Sequence, residues 1–256
     1  MRNALKLLVL LALPLASCAH QHPPDPDVRD AGAHSLTAAK AYPAIADALD
    51  RGTPLTQRFR IVSGDDSGAT GTRSVSVDGD GRAVVGWTVE GEDGPRQENH
   101  VVRDAAGDLR VERMPNRERG VVTRFEPAFL HFPSVLEVDT PVQQTLEMLV
   151  ADFDTPGRIK QTGDAVSTLT LLGGADVLVD GAPRVALVVR AELESAFGPA
   201  RVVRVADRWF LQELGFVGER FDETVRIFGL RSEQRTREIW LEGVEPVRAG
   251  GADQPG

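Results

Sequence analysis

Val185-Ala-Leu-Val-Val-Arg-Ala-Glu-Leu193 is the stretch on which the fold class turns. Val185, Leu187, Val189, Ala191 and Leu193 alternate with Ala186, Val188, Arg190 and Glu192. A period of two sends one set to a core face and the other towards solvent. The same period returns at Ala83, Val85, Trp87 and Val89, set against Val84, Gly86, Thr88 and Glu90. Turn signals separate such runs: Asp78-Gly79-Asp80-Gly81, Glu92-Asp93-Gly94, Asp180-Gly181 and Gly198-Pro199. Asp-Gly supplies the positive φ that tight hairpins require.

Working outward, strands are expected near 56–63, 70–77, 82–90, 97–103, 109–113, 119–126, 143–150, 164–172, 175–179, 184–194, 200–210, 214–221, 224–229 and 234–242. Merging neighbours leaves roughly ten to thirteen. Strands that follow one another through short turns make an antiparallel meander, and parallel winding lacks its helices here. The expected fold is therefore all-β, a meander forming a curved sheet or a (half-)barrel, with one short N-terminal helix. That helix falls within 36–50, where Leu36, Ile45, Ala46 and Leu49 are apolar and Pro43 marks the start. Segment 127–142 breaks the rhythm, because Pro127, Pro133 and Pro141 argue against a central strand. It is expected to be a crossing loop or an apolar flap.

The amino terminus has a different logic. Arg2 and Lys6 are followed by an apolar run to Leu15, too short to span a bilayer, which takes about 20 apolar residues. The run ends in Leu15-Ala16-Ser17-Cys18, which resembles the lipobox of bacterial lipoproteins. That resemblance implies diacylglyceryl attachment to the Cys18 thiol and cleavage between Ser17 and Cys18. A thiolate is the side chain nucleophilic enough for such alkylation near neutral pH. With Ala19 rather than Asp after the cysteine, it also implies the outer membrane, periplasmic side, in a diderm bacterium. The expected organisation is a lipoprotein signal over 1–17, a tether over 18–35 rich in Pro and Asp, one β-rich domain over 36–248 and a tail over 249–256.

A second resemblance covers residues 164–228. Asp176-Val-Leu-Val-Asp-Gly-Ala-Pro183, Val185 to Leu193, Asp207-Arg-Trp-Phe210 and Leu214-Gly-Phe-Val217 follow one another. This layout is similar to the β-rich envelope proteins of the DUF3108 and TapB-like families, although Gln212-Glu213 stands where those carry a Pro-Gly turn. The resemblance implies a hairpin-rich envelope protein and transfers no catalytic residue.

Composition excludes several classes. The formal net charge is −9, and loss of Arg2 and Lys6 with the signal would deepen it by two. An acidic chain is a poor partner for nucleic acid or for anionic head groups by charge alone. Cys18 is the sole cysteine, so no intramolecular disulfide forms and the core must supply stability.

No catalytic set stands out. His20 and His22 lie in the tether, and His100 and His131 have no ligand spacing around them. Ser134, Ser167 and Ser195 lack the nucleophile-elbow context. Asp65 with Asp66 and Asp152 with Asp154 fall in solvated turns, where paired carboxylates do not separate their pKa values. Asp78-Gly79-Asp80-Gly81 lacks the distal Glu of a calcium loop. No metal, cofactor or enzymatic activity is expected.

Aromatics remain. Trp209 and Phe210 are adjacent in a strand and so point to opposite faces, which means each needs its own cover. Segment 127–142 packing on the outer face is one way to provide it. An apolar cavity lined by Phe129, Phe132, Trp209, Phe210 and Phe216, holding a hydrophobic ligand, is another. The functional expectation is a membrane-anchored, non-catalytic envelope lipoprotein whose β domain binds a hydrophobic ligand or an envelope protein. A purely structural or assembly lipoprotein is the alternative, and a hydrolase the third.

Overall fold

The computed structural model describes residues 34–246. The chain enters through β1 (Ser35–Thr37), α1 (Ala38–Ala41) and α2 (Pro43–Arg51). Then come β2 (Leu55–Ser63), β3 (Thr70–Val77), β4 (Ala83–Val89), β5 (Gln97–Arg103), β6 (Leu109–Asn116) and β7 (Val121–Phe132). After β8 (Val135–Glu137) follow β9 (Val142–Asp152), β10 (Thr155–Val179), β11 (Ala182–Phe197), β12 (Ala200–Leu211), β13 (Gly215–Ile227), β14 (Leu230–Leu241) and β15 (Val244–Pro246).

The fold is all-β, and the sheet closes. Antiparallel neighbours run β11-β12-β13-β14-β2-β3-β4-β5-β6-β7-β9-β10, and β10 pairs again with β11, giving a twelve-stranded barrel. Closure removes the free edges that an open curved sheet would present. The two strands anticipated at 164–172 and 175–179 are one, β10, which passes through a register shift between Leu171 and Gly173.

Two helical pieces stand where one was expected. Thr37 caps α1, its hydroxyl accepting from the Lys40 amide at 3.4 Å. Pro43 opens α2, and Gly52 at φ 65° ends it by donating its N–H to Ala48 O. The helical segment lies at the barrel end that carries the β3–β4, β5–β6, β10–β11 and β12–β13 turns. There Leu36 pairs with Leu136 between β1 and β8, and the Pro43 ring presses on Gly215, where a Cβ would sit 2.5 Å from Pro43 Cδ. Ala41, Ile45 and Ala48 are buried in the main core with Phe59, Phe132 and Phe210.

Segment 127–142 corrects the sequence reading. β7 runs straight through Pro127. The ladder to β9 ends at Glu126 opposite Glu147, and the ladder to β6 skips from Arg124 to Phe129, so no backbone partner waits for the missing proline N–H. The Gln144 side chain bridges the gap. Its Oε1 accepts from the Leu130 amide at 2.6 Å and its Nε2 donates to Ala128 O at 2.9 Å.

Trp209 is not covered by that segment either. The ends of β10–β14 and the short β15 build a second core on the outer face, with Val177, Val188, Trp209, Val217, Trp240 and Val244 buried in it. β15 pairs with Val177–Val179 at the end of β10, so these strands curl around their own outer side. The Trp209 and Trp240 rings lie 4.9 Å apart. Gly218 admits Trp240 beside it, since a Cβ there would meet the indole at 2.5 Å.

Candidate functional site

The site grows from three adjacent strands. Across β12 and β13, Arg208 stands opposite Glu219, Ala206 opposite Phe221 and Arg204 opposite Glu223. Across β13 and β14, Phe221 stands opposite Arg237 and Glu223 opposite Arg235. The register shift that places Val217 on the outer face lets Phe216 and Glu219 both face inward. A period of two then carries Phe221 and Glu223 to the lumen and Arg220 and Asp222 to the outside. Charges on that outer face do not suit a lipid-facing barrel wall.

Glu219 is buried, and three guanidinium groups converge on it. Arg208 Nε donates at 2.9 Å, and Arg204 and Arg237 lie at 3.3 Å each. Burial alone would raise the Glu219 pKa, but the three arginines overcome that and hold it down to about 2. Their planes also stack on aromatics. Arg237 lies over Trp87 at 5.2 Å and over Phe221 at 5.0 Å, and Arg204 covers Phe221 at 4.1 Å. The result is a ladder of alternating rings and cations, Trp87–Arg237–Phe221–Arg204. Gly71 makes room for it, because the Trp87 indole occupies the space of a side chain there.

Arg73 joins from β3, directly opposite Trp87. One nitrogen donates to Gln57 Oε1 at 2.7 Å, and the guanidinium sits over the Tyr42 and Phe216 rings at 5.6 and 5.8 Å. The side chain is only 7% exposed, and its other terminal nitrogen has no hydrogen-bond partner. Burial and then Arg208 pull the Arg73 pKa down to about 10, against the pull of Tyr42. Arg237 Nε is likewise buried without a partner.

Tyr42 seals the helical end of this chamber. Its ring contacts His131 at 4.8 Å, Phe210 at 5.2 Å, Phe132 at 5.7 Å and Phe216 at 6.4 Å. Burial raises its pKa. Towards the other end the interior is less full. Trp87, Met114, Leu193, Phe197 and Phe221 occupy inward positions and remain only half-buried. At that mouth Arg119, on the β6–β7 turn, reaches Glu223 Oε1 at 3.0 Å. β6 and β13 are six places apart in the ring of twelve, so this ion pair crosses the barrel.

No family model, curated protein or solved structure matches this chain. The site is therefore read from its own chemistry.

Of the aromatics expected to line a cavity, Phe132, Phe210 and Phe216 do come together, but Tyr42 fills the space between them. Phe129 lies apart, half-buried against Phe125 at 5.5 Å. Trp209 belongs to the second core on the opposite face. Ser17 and Cys18 lie outside the described residues, as do His20 and His22. His100 is buried on the outer wall between Asp78 at 3.6 Å and Glu98 at 3.5 Å. Ser167 and Ser195 are buried at inward positions of β10 and β11, opposite Leu193 and Ala165. Among the described residues no three His, Cys, Asp or Glu side chains are placed to hold a metal ion.

The sequence reading missed the arginine layer. Its signal was available: Arg204 and Arg208 share the parity of Phe210 in a strand, which places charge on the same face as a core aromatic.

Proposed function

We propose that this chain is a membrane-anchored envelope lipoprotein, tethered by lipid on Cys18, whose barrel holds a hydrophobic or amphiphilic ligand and performs no bond chemistry. The observation that carries the ligand is the half-burial of inward-facing Trp87, Met114, Leu193, Phe197 and Phe221. A closed barrel packed to interior density would bury these side chains as fully as Phe59 and Phe132. Concave apolar space with a few convergent polar groups is the usual form of a small-molecule site. The anchor rests on the lipobox, since two or three acyl chains hold a protein firmly at about 0.8 kcal/mol per buried CH₂. No helix among the described residues is long and apolar enough to cross a membrane.

Native mass spectrometry of the chain from residue 18 with Cys18→Ser, before and after organic extraction, tests the ligand. A discrete added mass that solvent removes is the expected result. A protein that stays at its apo mass after exposure to a total lipid extract contradicts it. The same substitution in the full chain should move the protein from the membrane fraction to the soluble one.

A second reading, docking of an envelope protein, is favoured by one feature. At the β13–β14 turn Phe228 and Leu230 are 66% and 76% exposed, and Phe228 takes φ 51°, an uncommon conformation for a bulky residue. Stoichiometric co-purification of a protein, lost in Phe228→Ser, would establish that reading.

A further inference from the structure

The chamber is unbalanced in charge. Arg204, Arg208 and Arg237 share one deep carboxylate, Glu219, while Arg73 lies over the Tyr42 and Phe216 rings and the next carboxylate towards the mouth, Glu223, is held by Arg119. This cationic interior sits in a chain of formal net charge −9. Buried charge persists where it is paired, and an unmatched guanidinium in a low-dielectric interior is costly. Two of these arginines also keep a buried N–H with no acceptor, Arg73 at a terminal nitrogen and Arg237 at Nε. Both flank the same indole, since Arg73 is the cross-strand partner of Trp87 and Arg237 stacks on it.

A ligand that matches this arrangement must bring an acceptor. It must also be apolar elsewhere, because Trp87, Phe221, Met114 and Leu193 surround the arginines with half-buried hydrocarbon surface. We infer that Arg73 and Arg237, with Arg204 beyond Phe221, form the seat for an anionic head group, a phosphate or carboxylate, carried on an apolar chain that lies along the lumen. Guanidinium groups suit such oxyanions because each presents paired donors in a plane. The aromatic ladder fixes the planes of Arg204 and Arg237 in advance, so little side-chain entropy is lost on binding. Glu219 keeps the arginine layer ordered when no ligand is present.

This inference rests on the open chamber proposed above, and the test separates the two. The chain from residue 18 with Cys18→Ser is titrated with dodecyl phosphate, dodecanol and inorganic phosphate, below any micelle-forming concentration. Calorimetry and the fluorescence of Trp87 follow binding. Trp209 and Trp240 are sealed in the second core and provide a constant background.

Dodecyl phosphate is expected to bind at least tenfold more tightly than dodecanol. Arg73→Met and Arg237→Met should each weaken it at least tenfold while leaving dodecanol within twofold. Equal binding of dodecanol and dodecyl phosphate by the unaltered chain overturns the anion seat and leaves the apolar chamber standing. Binding of inorganic phosphate alone, weakened by the same substitutions, keeps the seat and removes the apolar chamber. Binding of none of the three overturns the seat. The comparison of ligands on the unaltered chain needs no variant to fold.

Discussion

His131 shows how one side chain can set the pH behaviour of the fold. It is buried against Tyr42, and Arg208 and Arg73 add positive charge on the same side, with Glu219 opposing them weakly. Burial first, and then the two arginines, push its pKa from 6.5 down to about 3. Between those values the unfolded chain binds a proton that the folded chain refuses. Stability is therefore full above the unfolded value and is lost as pH falls through 6.5 towards 3. The slope approaches about 1.4 kcal/mol per pH unit for a single proton. Glu219, held down to about 2, adds a loss of the same sign only below its ordinary value of 4.5. Urea midpoints between pH 4.5 and 6.5 therefore isolate His131, and His131→Gln should flatten the dependence there. An unchanged slope in that variant would place the proton elsewhere. None of this was visible in the sequence, where His131 is one histidine in a proline-flanked run.

At the scale of elements, the helical segment acts as a stopper. Thr37 caps α1 and Pro43 opens α2, yet both helices are below the length at which helices stand alone in water, so packing must hold them. Tyr42, between the two, provides that packing through four ring contacts. Tyr42→Ala should cost about 3–5 kcal/mol, the usual range for emptying a large buried aromatic site. Chemical denaturation measures it, and a loss under about 1 kcal/mol would mean that the barrel holds its end closed without the stopper. The strand through Pro127 makes a related point. Proline rules out a ladder bond at its own nitrogen, but it does not rule out a strand where neither neighbour offers a partner and Gln144 supplies the missing contacts.

For the whole molecule, one set of strands encloses two cores. The inner face of β11–β14 closes the barrel, while the outer face of the same strands, with β15, wraps Trp209 and Trp240. Such a division predicts separable stability. Trp240→Ala should speed amide exchange at Val244 and Glu245, which the second core and the pairing with Val177–Val179 hold. Amides of β5 and β6, across the ring, should keep their protection. Equal acceleration in both regions would show a single cooperative unit instead.

Alternation at Val185–Leu193 and the Asp-Gly turns determined by themselves that the chain is antiparallel and all-β, because side-chain parity and turn geometry are local properties. They also required that Trp209 and Phe210 have separate covers. Which cover each receives is not local. Barrel closure pairs β14, the last long strand, with β2, the first, and only that pairing brings Arg73 of β3 to the arginines of β12 and β14. Pairing across such distances depends on the summed shape of every strand, so the chamber and its charge belong to the tertiary structure.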